Sequence, residues 1–306
     1  MASGVISVLM KVGLISDEVV PQRQVTGLAR LVLSIVAVGF SCFFIYVAFF
    51  GSPVSEIFKG TFLLGVIILS IILFKSRRKP LREGFVWLDE LFVVVDLMVL
   101  CGAIAIWVQW QFFDHIELWR NFATAQVWWV AAAGALVGLL IYVIEATRWK
   151  QTDNPTLSDV LFLVCATAAI LWWIYNKPEL TERIGGPVPT PVIFFSAMLA
   201  AASFEIARRI VGPVIPLIGF LFFIYSFEPI AQSMPGLLLH AGLSVERVME
   251  FLFLSSDGMT GLIIEVFATY IVIFVILGAF LEKTGVGSLI IDAAYRLTGQ
   301  RTGGVM

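Results

Sequence analysis

The chain has 306 residues, 59% hydrophobic and 14% charged, with a mean hydropathy of +0.96 and a formal net charge of −2. Soluble proteins average about 25% charged residues, so this apolar surplus excludes a soluble globular fold. The near-neutral balance offers no electrostatic footprint for nucleic acid.

Residues 1–30 carry Lys11, Asp17, Glu18, Arg23 and Arg30 and lack the basic start, apolar core and small-residue cleavage site of a signal peptide. They read as a cytoplasmic segment, with the first helix retained as an insertion signal. Eight apolar runs follow, at 31–50, 57–74, 88–108, 127–146, 157–175, 192–207, 214–228 and 261–281. About 20 apolar residues at 1.5 Å each cross a hydrocarbon core of roughly 30 Å, so the fold class is all-α, polytopic, with about eight transmembrane helices. The run at 214–228 is short, contains Pro216 and Gly219, and is bracketed by Pro213, Pro229 and Pro235; it is the least regular of the eight.

Loop charges orient the bundle. With the N-terminus inside, the cytoplasmic segments hold 15 Lys and Arg residues against 5 outside, as the positive-inside rule requires. Both termini are therefore expected on the cytoplasmic side. The dense block from Lys75 to Arg82 reads as a topology anchor rather than a headgroup site. Trp107, Trp110, Trp119, Trp128, Trp129, Trp172 and Trp173 fall near the expected outer boundary, and Trp87 and Trp149 near the inner one, as an interfacial aromatic belt. A faint repeat relates 87–100 to 156–169 and 139–150 to 200–211, each pair forming a helical hairpin. The soluble parts are small: an outer loop at 176–191, a second at 229–257 with an amphipathic helix in "SVERVMEFLF", and an amphipathic segment at 285–300.

Chemistry-bearing residues are few. Acids inside membrane spans are costly and are the first functional candidates. Asp96 lies about two turns deeper than Asp89 and Glu90, which read as solvated at an inner entrance. Glu145 and Glu205 each precede an arginine by three residues, Arg148 and Arg208, and read as interfacial ion pairs. Glu265 and Thr269 lie one turn apart on the last run. They face either an ion or solute path or a neighbouring helix. Asp96, Glu205, Glu265 and Thr269 are the candidates for a substrate or ion path. Ala131, Gly134 and Gly138 form a small-residue face suited to close helix packing. Cys42, Cys101 and Cys165 lie in apolar runs and read as packing residues; with His115 and His240 in loops, no metal site is expected. No Walker A, Gly-x-Ser-x-Gly, His-Glu-x-x-His or dinucleotide pattern occurs, so the chain reads as a non-enzyme with no covalently bound cofactor.

The stretch 228–304, with "FATYIVIFVILGAFLEKTGVGSLIID" at its centre, resembles the first large-subunit helix and flanks of fused TRAP (tripartite ATP-independent periplasmic) transporter permeases of the TAXI type; 205–227 is similar to the segment just upstream. Residues 23–150 are similar to the small-subunit-like region in helix spacing and in "WLDELF". On this resemblance, 31–150 is a small-subunit-like four-helix region, 151–213 a linking helix pair, and 214–306 the start of a large-subunit-like permease region.

The resemblance implies a bacterial inner-membrane secondary transporter, taking up carboxylate-type solutes. Sodium would be the coupling ion and a periplasmic solute-binding protein the delivery partner. The family's ion-site hairpins correspond to positions beyond Met306, so the remaining large-subunit helices are an expected partner, and this chain alone is expected not to transport. Glu265 stands where the family pattern has a small or apolar residue. The alternative function is a membrane anchor or accessory scaffold without transport activity of its own.

Overall fold

The computed structural model describes residues 23–76, 86–112, 125–148, 155–182 and 185–298. The described residues are helical throughout their long elements. In chain order these are α1 (Gly27–Phe50), α2 (Ser55–Leu73), α3 (Val86–Phe112), α4 (Ala125–Arg148), α5 (Leu157–Glu182), α6 (Thr190–Val211), α7 (Val214–Tyr225), α8 (Glu228–Ala231), α9 (Val245–Leu254), α10 (Leu262–Thr284) and α11 (Val286–Thr298). Seven of them, α1 to α6 and α10, are long and apolar enough to cross a membrane. Helices suit that medium because every backbone polar group is satisfied within the segment.

The eighth expected crossing is built differently. α7 has 12 residues, about 18 Å at 1.5 Å per residue, which is too short to span alone. It runs back along α6, with Phe204 of α6 5.8 Å from Phe220 and 6.0 Å from Phe223. The chain then completes its return through 226–244, where only the short α8 and a single 3-10 turn interrupt irregular backbone. That segment is tied to itself: Leu243 N–H donates to Ser226 O at 2.9 Å and Glu228 N–H to Leu243 O at 3.0 Å. Gly242 is required there, because its φ is +69° and a Cβ would stand 2.4 Å from Glu228 Cα.

α9 and the start of α10 lie at the opposite end from the α6–α7 turn. The Ser196 hydroxyl, near the start of α6, donates to Met249 O of α9 at 3.0 Å. Lys59, near the start of α2, pairs with Glu265 of α10 at 2.9 Å. Among the described residues the chain therefore passes between the two ends eight times, seven times as a long helix.

The core lies where α5 and α6 pack on each other and on α2 and α3, around Ile71, Leu97, Leu100, Phe162, Ile170 and Leu199. Ala166, Ala169, Ala201 and Ala202 keep the central helices close. A second cluster, Phe44, Phe58, Phe62 and Ala268, joins α1, α2 and α10. α10 widens into a π turn at Phe267–Ile271, beside that contact. It ends at Gly285, whose left-handed φ of +72° closes the helix and lets α11 start in a new direction.

α3 and α4 form the closest hairpin. A Cβ at Gly134 would stand 2.5 Å from Cys101 O, and one at Gly138 2.6 Å from Leu97 O, so the small-residue face is what lets the backbones meet. The bundle perimeter remains apolar and exposed, as at Leu31, Ile35, Leu140, Phe274 and Val275, which suits contact with lipid.

Several expectations are corrected. The outer loop was expected to begin at 176, yet α5 runs on through Pro178 to Glu182. Leu180 is buried in the core and Lys177 Nζ bonds the Leu254 carbonyl, so tertiary contacts hold this last turn. Trp173 is not a belt residue: it is 1% exposed and donates Nε1–H to Phe253 O at 2.8 Å. Its neighbour Trp172 stacks on Phe195 at 4.8 Å, while Trp129 is exposed on the perimeter. Trp119, Trp149, His115 and the block 77–82 lie outside the described residues, as do the side chains of Trp87, Trp128 and Arg148. Cys101 and Cys165 are buried in the core, whereas Cys42 is exposed.

Candidate functional site

Charged residues gather at the two ends of the bundle, and the two gatherings differ in kind. At the end where α6 finishes, the C-terminal turn of α6 presents Glu205, Arg208 and Arg209 on one face, because offsets of three and four residues coincide on a helix. Arg208 grips Glu205 with two bonds, Nε to Oε2 and Nη2 to Oε1, both at 2.8 Å, and reaches Asp89 Oδ1 of α3 at 2.7 Å. It also donates to the Ser76 carbonyl just past α2, at 2.5 Å. Arg209 binds Glu205 Oε1 at 2.7 Å and Asp159 Oδ1 of α5 at 2.6 Å. The other oxygen of Asp159 takes Arg23 at 2.7 Å and the Thr156 N–H at 2.8 Å.

Asp159 therefore serves two ends at once. With Thr156 it makes a reciprocal cap on the first turn of α5, since the Asp159 N–H donates to Thr156 Oγ1 at 3.4 Å. Glu145, at the end of α4, accepts the Ser158 N–H at 2.6 Å and the Ser158 hydroxyl at 2.8 Å, so it also caps α5. Asp89 and Asp159 sit at the N-terminal turns of α3 and α5, and Arg208 and Arg209 at the C-terminal turn of α6, which matches the helix dipoles. In the ion pairs among the described residues, three arginines (Arg23, Arg208, Arg209) meet three acids (Asp89, Asp159, Glu205).

This geometry corrects two readings of the acids. Glu205 and Arg208 do pair, but at 1% and 0% exposure rather than as a solvated interfacial pair. The reason is that Asp89, Asp159 and the end of α2 close over them from other elements. Asp89 is likewise paired and mostly covered rather than solvated.

The opposite end carries a cleft of about 630 Å3 between α2, α5 and α9. Lys59, Lys177 and Arg247 line it against a single lining acid, Glu250. Each cation is held: Lys59 by Glu265, Arg247 by Glu250 at 2.6 Å, and Lys177 by the Leu254 carbonyl and the Trp173 ring, 5.9 Å away. Ser244 caps α9 by accepting the Arg247 N–H at 3.4 Å. Ser255, Ser256 and Thr260 complete the wall. The loop above them is tight, since a Cβ at Gly261 would stand 1.9 Å from Ser256 O.

The four candidate positions thus fall in three places. Glu205 is the centre of the arginine network, Glu265 is a half-exposed partner of Lys59 beside the cleft, and Thr269 is exposed in the π turn. Asp96 stands apart, buried on α3 between the two ends. The structure does not bring the four together. His240 is absorbed by its loop, bonding Tyr225 O and the Gly242 N–H, each at 3.0 Å.

A bundle of seven long apolar helices, with a charge network at one end and a cationic cleft at the other, defines a multi-pass membrane protein. Residues 198–306 match the family model described as tripartite ATP-independent periplasmic transporter, DctM component. This C-terminal part, from within α6 onward, is therefore a large-permease domain of the TRAP type, and the chain's role is in membrane transport. No curated protein and no solved structure matches the chain.

Proposed function

We propose that the chain is the membrane permease component of a sodium-coupled TRAP-type carrier in a bacterial inner membrane. It works with a periplasmic solute-binding protein and with further large-permease helices, and it takes up carboxylate-type solutes. The observation that carries this reading is the DctM match over 198–306, the part that contains α7, the irregular return and α10. On this reading both chain ends lie on the cytoplasmic side, the arginine network closes that side, and the cleft opens outward.

The cleft supports the reading in chemical terms. Among the described residues, Lys59, Lys177 and Arg247 outnumber their partners Glu265 and Glu250 by one positive charge, which favours an anion over a cation by simple attraction. Alternating access needs one part of the bundle held firm while another moves. The network supplies the firm part, because it fastens α2, α3, α5 and α6 at one end.

Cells deleted for this chain should lose sodium-dependent accumulation of the solute and regain it from a plasmid copy. Unchanged uptake in the deletion strain, with every other component present, would overturn the proposal.

A further inference from the structure

A cavity of about 170 Å3 lies where α3 meets α6, α7 and α9. Its walls are apolar and largely aromatic. Phe220 stands 6.1 Å from Phe92 and 5.8 Å from Phe204, and Phe223 lies 6.5 Å from Phe220. One carboxylate interrupts these walls. Asp96 lines the cavity, is 7% exposed, and its Oδ2 is buried with no hydrogen-bond partner.

A purely apolar cavity is filled by hydrocarbon, and a polar atom without a partner in one is costly. The arginines of the network are already bound to its own acids. A partner that donates a hydrogen bond and carries positive charge offsets that cost best. It must also have an apolar body, since the rest of the wall offers nothing polar. Size sets the body: a cavity of about 150 Å3 holds a benzene ring, so one ring with a short chain fits here. Phenylalanine faces attract a cation as well. The rim includes Leu91 and Val99 of α3, about half exposed on the bundle perimeter. A molecule dissolved in the bilayer reaches the cavity from that side.

We propose that this cavity binds a lipophilic primary amine, its ammonium donating to the Asp96 carboxylate and its body held among Phe92, Phe204, Phe220 and Phe223. The site joins α3, outside the matched domain, to α7 within it, so an occupant clamps the two regions together. It stands independently of the transport reading.

The probe is phenethylamine, with propylbenzene as its neutral isostere, on the purified full chain in lipid nanodiscs with empty discs as the blank. Saturable binding of labelled amine is expected, together with a raised unfolding midpoint. Asp96→Asn keeps the shape and removes the charge; a charge-assisted bond contributes about 1.5–3 kcal/mol, so affinity should fall about tenfold or more. Leu217→Trp, at the partly exposed α7 wall, should block binding with Asp96 intact and serves if the Asn variant does not fold. Equal competition by propylbenzene, wild-type affinity in Asp96→Asn, or undiminished binding in Leu217→Trp would each overturn the proposal.

Discussion

Glu205 binds two arginines of its own helix at once, and each of those arginines has a second acid on another helix. A pair of this kind differs from an exposed one because no water replaces a lost partner. Breaking a buried pair by removing one member costs about 3–5 kcal/mol, whereas an exposed pair contributes about 0–1 kcal/mol. Arg209→Gln should therefore lower the unfolding midpoint sharply and reduce the yield of membrane-inserted protein. Glu265→Gln, whose carboxylate is 47% exposed, should leave both nearly unchanged. Thermal unfolding in one detergent compares the two, and equal midpoints would show that the network bears no load. The pairing of Glu205 with Arg208 was legible from spacing. The reach of Arg209 to Asp159, 50 positions away in the chain, was not, because it depends on how α5 docks. Asp96 was legible as a deep acid, but its aromatic surroundings come from α6 and α7, which local sequence cannot place.

At the level of elements, packing decided what periodicity left open. The small-residue face on α4 was readable, and the structure shows its object, the backbone of α3 at Leu97 and Cys101. Gly138→Leu should force the hairpin apart, since its Cβ alone would sit 2.6 Å from a carbonyl oxygen that cannot move freely. Overpacking costs about 1–3 kcal/mol, measurable as a lower unfolding midpoint. Gly278→Leu, with nothing within 4 Å of its Cβ, is the control and should be tolerated. The helical turn past Pro178 was not legible, because proline ordinarily marks a helix end and what holds it, Leu254 of α9, is 77 residues on. The short α7 was flagged by its prolines. The folded return at 226–244 was not, as it rests on a backbone bridge and on two glycines at positive φ, Gly236 and Gly242.

For the whole molecule, the eight passages fix which ends lie together. Glu265 meets Lys59 at the cleft end, so α10 descends toward the end that holds Arg23 and Arg208. Single cysteines at the exposed positions Ser52 and Lys283, in a background with native cysteines replaced, should label from opposite sides of the membrane. Labelling from one side would mean that α7 and the 226–244 return do not cross. The loop-charge rule already implied this arrangement. Charge bias counts sides rather than helices, so it is indifferent to one crossing that is not a full helix.

Coupled uptake is the measurement that bears on all three scales. The chain would be reconstituted in liposomes with the further large-permease helices and a solute-loaded binding protein. An inward sodium gradient should then drive carboxylate accumulation, and replacing sodium with potassium or omitting the binding protein should abolish it. Accumulation that ignores sodium, or its absence from the complete assembly, would contradict the assignment of this chain to a sodium-coupled carrier.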